Sequence, residues 1–317
     1  LGNYINCPAD DLIYFPNPTT AINAVARSLK LESRDEVLST NHIYGALDRT
    51  WKYICEKNGA EFVKADITFP IQSKDEFLNS FFKAVTSKTR VIFLSHITSM
   101  TAMIFPVEEV VEFARENNIL SIIDGAHVPG HIPLNINTLN PDIYTGACHK
   151  WMCSPKGTSF LYVKKEMQEN IHPLVVSWGW ESENPSDSQF LDWHEWQGTR
   201  DMSAFLTIPE AVKFMDDNDW PNVSRKCREM VIQTRNQLLN YLNISPPCPD
   251  DWLGQMASIP LPFNDAVEIK NDLLNKYYIQ VPIFTWEGKV YLRYSIQAYN
   301  AESDLENLLS AIKELLG

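Results

Sequence analysis

No stretch of the 317 residues approaches the run of about twenty apolar residues that a membrane-spanning helix needs. The opening residues also lack the charged-then-apolar pattern of a secretory signal. Positive charge is scarce: 27 Lys and Arg stand against 40 Asp and Glu, a formal charge of −13. That balance argues against a nucleic-acid partner, which selects a basic face. The six cysteines are scattered with no C-x-x-C pair, so no disulfide framework is indicated, and reduced thiols in a cytoplasmic setting are expected. Internal repeats and low-complexity tracts are missing. So is an initiator methionine. The chain opens on Leu1 in helical or turn-like sequence, which suggests an N-terminal segment lost by processing or truncation. What is present is an ordinary globular composition, long enough for two domains or for one large α/β domain with an appendage.

Apolar runs and helical periods alternate along the first half. Residues 12–15 read as a strand, followed by Asn17-Pro18-Thr19-Thr20 and then apolar residues at Ile22, Val25, Ala26 and Leu29, which is helical spacing. Thr19 or Thr20 is the expected N-cap, and a helix start with hydroxyls and open N–H groups is an anion site. Strands are expected at 36–39, 60–65, 91–94, 120–123 and 143–145, and helices at 46–57, 73–87 and 106–117, with Asn58-Gly59 as a C-cap. Such alternation predicts a doubly wound, mostly parallel sheet. Right-handed crossovers then bring Thr19, His42, Ser99, Asp124 and Lys150 to one rim. Residues 164–199 are loop-rich and hold four of the nine tryptophans, a density that suggests a buried interface. Helices are expected at 202–216 and 222–242. Strands at 257–260, 279–283 and 289–295, with helices at 266–276 and 301–316, make a small C-terminal α+β unit. The boundary falls near 215, giving a large domain over 1–215 and a small one over 216–317.

The chemistry centres on Asp124 and Lys150, an acid and a lysine at the ends of two strands expected to be neighbours. In an open α/β sheet, chemistry sits at the carboxyl ends of the strands. Pyridoxal phosphate needs such a pair: a lysine for its Schiff base and an acid for its pyridine nitrogen. His127 is placed to hydrogen-bond the cofactor ring oxygen, and His149 to reach the phosphate or orient the lysine. A zinc pair of His127 and His131 is set aside, because Pro129, Gly130 and Pro133 forbid the helix it would need. Arg293 lies among apolar residues in an expected strand. It is either a bidentate clamp for a substrate carboxylate or half of an internal salt bridge.

These residues carry a resemblance. NPTTAIN (17–23), DEVLSTNHIYGA (35–46), SHITSMTAMIFPV (95–107), DGAHVPG (124–130), YTGACHKWMCSPKGTSFLYV (144–163), WQGTRDMSAFLTIP (196–209) and LRYSIQAYN (292–300) occur in order over nearly the whole chain. In these blocks the chain resembles the class V aminotransferase family of fold-type I pyridoxal-phosphate enzymes, and within it the isopenicillin N epimerase-like branch. The resemblance implies a Schiff-base role for Lys150, a pyridinium partner in Asp124 and a ring-oxygen neighbour in His127. It implies phosphate contacts from Thr19 and His149 and a loop from His42 to Tyr44 over the ring face; Thr20 and Ser99, on the same rim, are expected to join them in binding the cofactor. Thr199 would reach the phosphate of a neighbouring subunit, so a homodimer with shared active sites is expected, and Arg293 would clamp the α-carboxylate. The chain departs from the family in having Pro18 where an N–H donor is usual, Ala102 for a glycine, and Ala147 for a serine or asparagine. The family's N-terminal segment is also missing.

The reaction expected is epimerisation or racemisation of an amino acid. Its alternatives are a C–S lyase or an aminotransferase, and, from another class, a cofactor-free relative that acts as a binding protein. Desulfuration is disfavoured, because no cysteine follows Cys248 where a nucleophilic loop would be needed.

Overall fold

Strands form along the apolar runs, most of them covered on both faces. They are β1 (Leu12–Phe15), β2 (Glu36–Thr40), β3 (Glu61–Ala65), β4 (Thr89–Ser95), β5 (Leu120–Gly125), β6 (Ile143–Ala147) and β7 (Ser159–Val163). Every residue of β2, β6 and β7 is buried. In this computed structural model, which describes residues 1–316, they form one sheet in the order β1-β7-β6-β5-β4-β2-β3. Strands β3, β2, β4, β5 and β6 are parallel, whereas β7 runs antiparallel to both its neighbours, β6 and β1. The expected mostly parallel α/β sheet is therefore present.

Helices cover the sheet. The helix Pro18–Ser28 starts at Asn17, not at Thr19 or Thr20. Asn17 accepts hydrogen bonds from the Thr20 N–H (2.9 Å) and hydroxyl (3.0 Å), and Pro18 takes the first helical position, where no N–H is needed. The helix Gly45–Asn58 ends at Gly59 with φ 70°, the left-handed stop expected from the sequence. Trp51 from that helix packs on Phe93 of β4 at 5.4 Å, in a layer with Ile22, Val25, Leu47, Ile122 and Leu161. Burying one such side chain contributes about 1.5–3 kcal/mol. The helix expected at 73–87 is shorter, Lys74–Phe82. Its last turn is lost because the Thr86 hydroxyl bonds Glu36 (2.6 Å) and the Thr86 N–H bonds the Thr89 hydroxyl (3.0 Å). The helix expected at 202–216 is two pieces, Ser203–Leu206 and Ile208–Asp217, interrupted at Thr207, with Pro209 in the first turn of the second.

Two compact units can be distinguished. The first holds Leu1–Ile67, Lys74–Ile97 and Phe105–Asn218; the second holds Thr68–Ser73, Thr98–Ile104 and the chain from Asp219 onward. The second unit has a three-stranded antiparallel sheet in the order β8-β10-β9, made of β8 (Met256–Leu261), β9 (Ile283–Trp286) and β10 (Lys289–Ser295). The strand expected at 279–283 lies about four residues later. Glu287 (φ 47°) and Gly288 (φ 75°) form the two-residue hairpin turn that sets the pairing of β9 with β10. Thr98–Ile104 joins this unit through the Ile104 N–H to the Trp252 carbonyl (2.8 Å) and a bridge between Met103 and Leu253. Within that segment Ala102 sits at φ 59°, a left-handed conformation that costs a Cβ-bearing residue roughly 1–2 kcal/mol. Among the described residues no helix is long and apolar enough to cross a membrane.

Candidate active site

Sheet direction assembles the rim. Because β7 opposes both β6 and β1, β1 runs parallel to β6. The carboxyl ends of β1, β2, β4, β5 and β6 (Phe15, Thr40, Ser95, Gly125 and Ala147) therefore share one edge with the start of β7, and the Ser159 hydroxyl donates to the Phe15 carbonyl across it (2.8 Å). The chain order reverses between β2 and β4, and the carboxyl side of such a switch point is where open α/β sheets bind ligands.

At the centre of the edge lies Asp124, 4% exposed, on β5. One carboxylate oxygen accepts from the Ala126 N–H at 3.0 Å. Burial raises its pKa, opposed by the charge of Lys150 and by that hydrogen bond. Lys150, just past β6, is exposed, and its Nζ lies 3.1 Å from His127 Nε2. The other His127 nitrogen, Nδ1, accepts from the Trp151 indole N–H at 3.3 Å. The loop carrying His127 lies against the lysine loop because Gly130 (φ 80°) leaves room: a Cβ there would stand 2.5 Å from the Trp151 carbonyl. Two further residues, His96 and Tyr144, escaped the sequence reading. The Tyr144 hydroxyl, raised well above its usual pKa by burial and by Asp124, keeps its proton and shares a hydrogen bond with His96 Nδ1 at 3.0 Å. Burial holds His96 neutral, with its pKa lowered to about 4. Gly125 is what admits the Tyr144 hydroxyl, since a Cβ there would lie 2.0 Å from it. The legible signal was that His96 directly follows a strand end.

Along the same edge, the Thr20 N–H and hydroxyl are both taken by Asn17, whereas the Thr19 hydroxyl has no hydrogen-bond partner among the described residues. His149 Nδ1 donates to the Thr158 carbonyl at 2.6 Å, and burial, with Lys150 nearby, lowers its pKa. The neutral ring therefore offers only a lone pair at Nε2. A phosphate dianion accepts and does not donate, so His149 can bond one only by taking up a proton. Pyridoxamine phosphate, which cannot condense with lysine, is expected to bind with proton uptake. Its affinity should fall as pH rises above the His149 pKa, by at most tenfold per pH unit for one proton, and His149→Gln should flatten the slope. Calorimetry in buffers of different ionisation enthalpy checks this.

His42, buried after β2, donates from Nε2 to the Ile67 carbonyl (2.9 Å) and packs edge-on against Phe105. Burial lowers its pKa to about 4, so it is a neutral ring at physiological pH. Tyr44, at the start of the next helix, is 44% exposed. Thr199 is exposed in the loop after Gln189–Glu195. The tryptophans of that region divide: Trp180 and Trp193 stack on each other at 4.5 Å, while Trp178 and Trp196 are 78% and 60% exposed.

Ser99 and Arg293 belong to the second unit. Ser99 does not end a strand: β4 stops at Ser95, and Ser99 lies on the Thr98–Ile104 segment. Its carbonyl and hydroxyl both accept from Arg293 Nη1. The Arg293 Nε is buried without a partner among the described residues, and burial lowers the guanidinium pKa. The internal salt bridge considered for Arg293 is absent among the described residues.

A primary amine, a buried carboxylate, an imidazole and an open helix start on one rim are the donor set that pyridoxal phosphate requires, and the architecture is that of the α/β enzymes that use it. The aminotransferase class-V family model matches residues 1–308; the chain belongs to that family. It is accordingly an enzyme, and pyridoxal phosphate is its cofactor. The chain is 30% identical to an isopenicillin N epimerase of Amycolatopsis lactamdurans over 99% of its own length and 83% of that protein. It is 28% identical to a putative L-cysteine desulfhydrase of Oryza sativa subsp. japonica over 89% of its length and 64% of that protein. Among solved structures, a cysteine desulfurase from Thermococcus onnurineus superposes with a TM-score of 0.84 at 16% identity, covering 99% of this chain and 81% of that one. Each of these relatives is named for an activity, and none supports the cofactor-free binding-protein reading.

Proposed function

We propose that the chain is an amino-acid epimerase or racemase that moves the proton at Cα, with Lys150 as the base. The carrying observation is the group of Lys150, His127 and Asp124 on one rim, with Nζ 3.1 Å from a histidine nitrogen. When bound, pyridoxal phosphate withdraws electrons from Cα and makes its proton labile. Lys150 holds the cofactor and then takes or returns that proton. Asp124 keeps the pyridine nitrogen protonated. His127 donates to the ring oxygen. Thr19 and His149 receive the phosphate, with Thr20 behind them ordering the helix start, and His42 and Ser99 border the cofactor. Arg293, with its buried Nε unpartnered, receives the substrate carboxylate. Inversion needs a second proton donor on the opposite face. His42 is poorly suited, because its proton-bearing nitrogen is committed to Ile67, and Tyr44 is assigned that task.

The working form is proposed to be a cytoplasmic homodimer with Thr199 acting in the neighbouring subunit. Support comes from the exposed Trp178 and Trp196 in the same loop-rich region and from six cysteines that form no disulfide. A second reading, elimination of a sulfur leaving group, is supported by the plant desulfhydrase relative. Incubating the holoenzyme with L- and D-amino acids in deuterated water separates them. Epimerisation places deuterium at Cα of recovered, inverted substrate without accumulation of keto acid. Stoichiometric sulfide and keto acid would select the lyase instead, and no Cα exchange with any substrate would defeat both.

A further inference from the structure

Lys150 is contacted by a histidine whose second nitrogen is already spoken for. The Trp151 indole can only donate a hydrogen bond, and it donates to His127 Nδ1 at 3.3 Å. A nitrogen that accepts carries no proton. A neutral imidazole holds one proton, so it resides on Nε2, the atom 3.1 Å from Lys150 Nζ. An imidazolium, protonated on both nitrogens, would leave the indole N–H without an acceptor. An ammonium at Lys150 would bring three donors against a donor, whereas a neutral amine accepts the Nε2 hydrogen with its lone pair.

The indole is itself held in place. Its ring packs on His131 with centroids 4.1 Å apart, and His131 Nδ1 donates to the His127 carbonyl at 2.9 Å. Trp151 is 6% and His127 8% exposed, so water competes little for these bonds. The charged groups facing the lysine divide in their effect. Asp124 favours its ammonium form, His149 is neutral through burial, and the oriented His127 opposes the ammonium.

We propose that Trp151 is a positioning residue that fixes the His127 proton on Nε2 and thereby keeps Lys150 a neutral amine, ready to capture the cofactor aldehyde. This rests on the Lys150 role proposed above. In the capture step the amine nitrogen attacks the aldehyde carbon, a C=N bond forms and the oxygen leaves as water. Only the neutral amine has the electron pair to begin it. The same Nε2–H serves afterwards as the donor that the ring oxygen of the bound cofactor needs.

The direct test uses the cofactor-free protein. In histidine-selectively ¹⁵N-labelled chain, His127, assigned by loss of its signals in His127→Gln, is expected to show an unprotonated Nδ1 and a protonated Nε2 at pH 7–8. The opposite tautomer, or an imidazolium, overturns the proposal whatever the variants do. The second arm follows borohydride trapping of pyridoxal phosphate on Lys150 against pH. Trp151→Phe keeps the ring on His131 but frees His127 to place its proton on Nδ1 and accept from an ammonium. Its trapping is expected to be about tenfold slower near neutrality, which is one unit of lysine pKa, and to converge on the wild-type rate at high pH. A uniform loss at all pH values, or an unchanged profile, overturns the proposal. Failure of the unaltered protein to trap at any pH would instead sink the Lys150 assignment, with the tautomer measurement still standing.

Discussion

Lys150→Ala is expected to lose at least about 10³-fold in turnover, within the range by which a positioned acid–base and covalent group accelerates reaction. The borohydride-stable pyridoxyl adduct should disappear with it. Lys150 is exposed at the rim and contributes little burial, so the variant should melt close to the unaltered protein; a normal melt with lost adduct separates chemistry from folding. Lys150→Arg fills the same place but cannot condense with an aldehyde, and it should behave like the alanine variant. Near-normal turnover in either would remove Lys150 from the reaction. The prediction follows from where β6 stops: Ala147 is the last paired residue, and the next three turn the lysine onto the edge toward His127.

Asp124→Asn should separate two quantities that usually move together. Burial raises the Asp124 pKa in the folded protein above its unfolded value, so the folded state binds the extra proton more tightly. This group's contribution to stability is therefore fully present below the unfolded pKa and is lost as pH rises through the raised one. Above that raised pKa the buried carboxylate costs the cofactor-free protein stability. The amide removes that cost while its oxygen still accepts from Ala126. Cofactor-free Asp124→Asn is expected to be as stable as the parent or more so once pH exceeds the raised Asp124 pKa, and to lack the part of the decline that this carboxylate causes. Its turnover should nonetheless fall about 10²–10³-fold, the scale of removing one preorganised electrostatic partner from a dry site. Denaturation of the cofactor-free form across pH, beside turnover of the loaded form, reads both; a variant that is less stable at neutral pH would show that the carboxylate is structural.

Much of the site was legible because its residues are placed by strand ends, and strand ends follow from apolar runs. Asp124 and Lys150 needed only that β5 and β6 be neighbours, and they are parallel partners. His96 and Tyr144 were missed because their meeting depends on Gly125, and a glycine inside an apolar run does not announce which side chain fills the space it leaves. Trp151 was given no role of its own for a similar reason: the direction of its N–H is a tertiary fact. Ser99 was misplaced because an irregular turn through Thr98 and Thr101, joined by a 2.8 Å hydroxyl bond, follows β4. The cap of the helix Pro18–Ser28 was misread by two residues even though Pro18 marked it, since proline belongs at the first helical position and the cap precedes it. The orientation of β7 carries no signal in its composition, because a fully buried strand reads the same in either direction.

That orientation also governs how the molecule is built. β1 hydrogen-bonds only to β7 within the sheet, and nearly 150 residues separate Phe15 from its partner Ser159. On a ribosome, β2 to β6 can pair as they emerge, while the four-residue β1 waits as an unpaired segment until residue 163 is free. The helix Pro18–Ser28, which packs on both β6 and β7, gains the second of these supports at that moment. A nascent or truncated chain ending before β7 would carry Asp124 and Lys150 but leave β1 without its partner strand, so this edge of the sheet closes only through a long-range pairing.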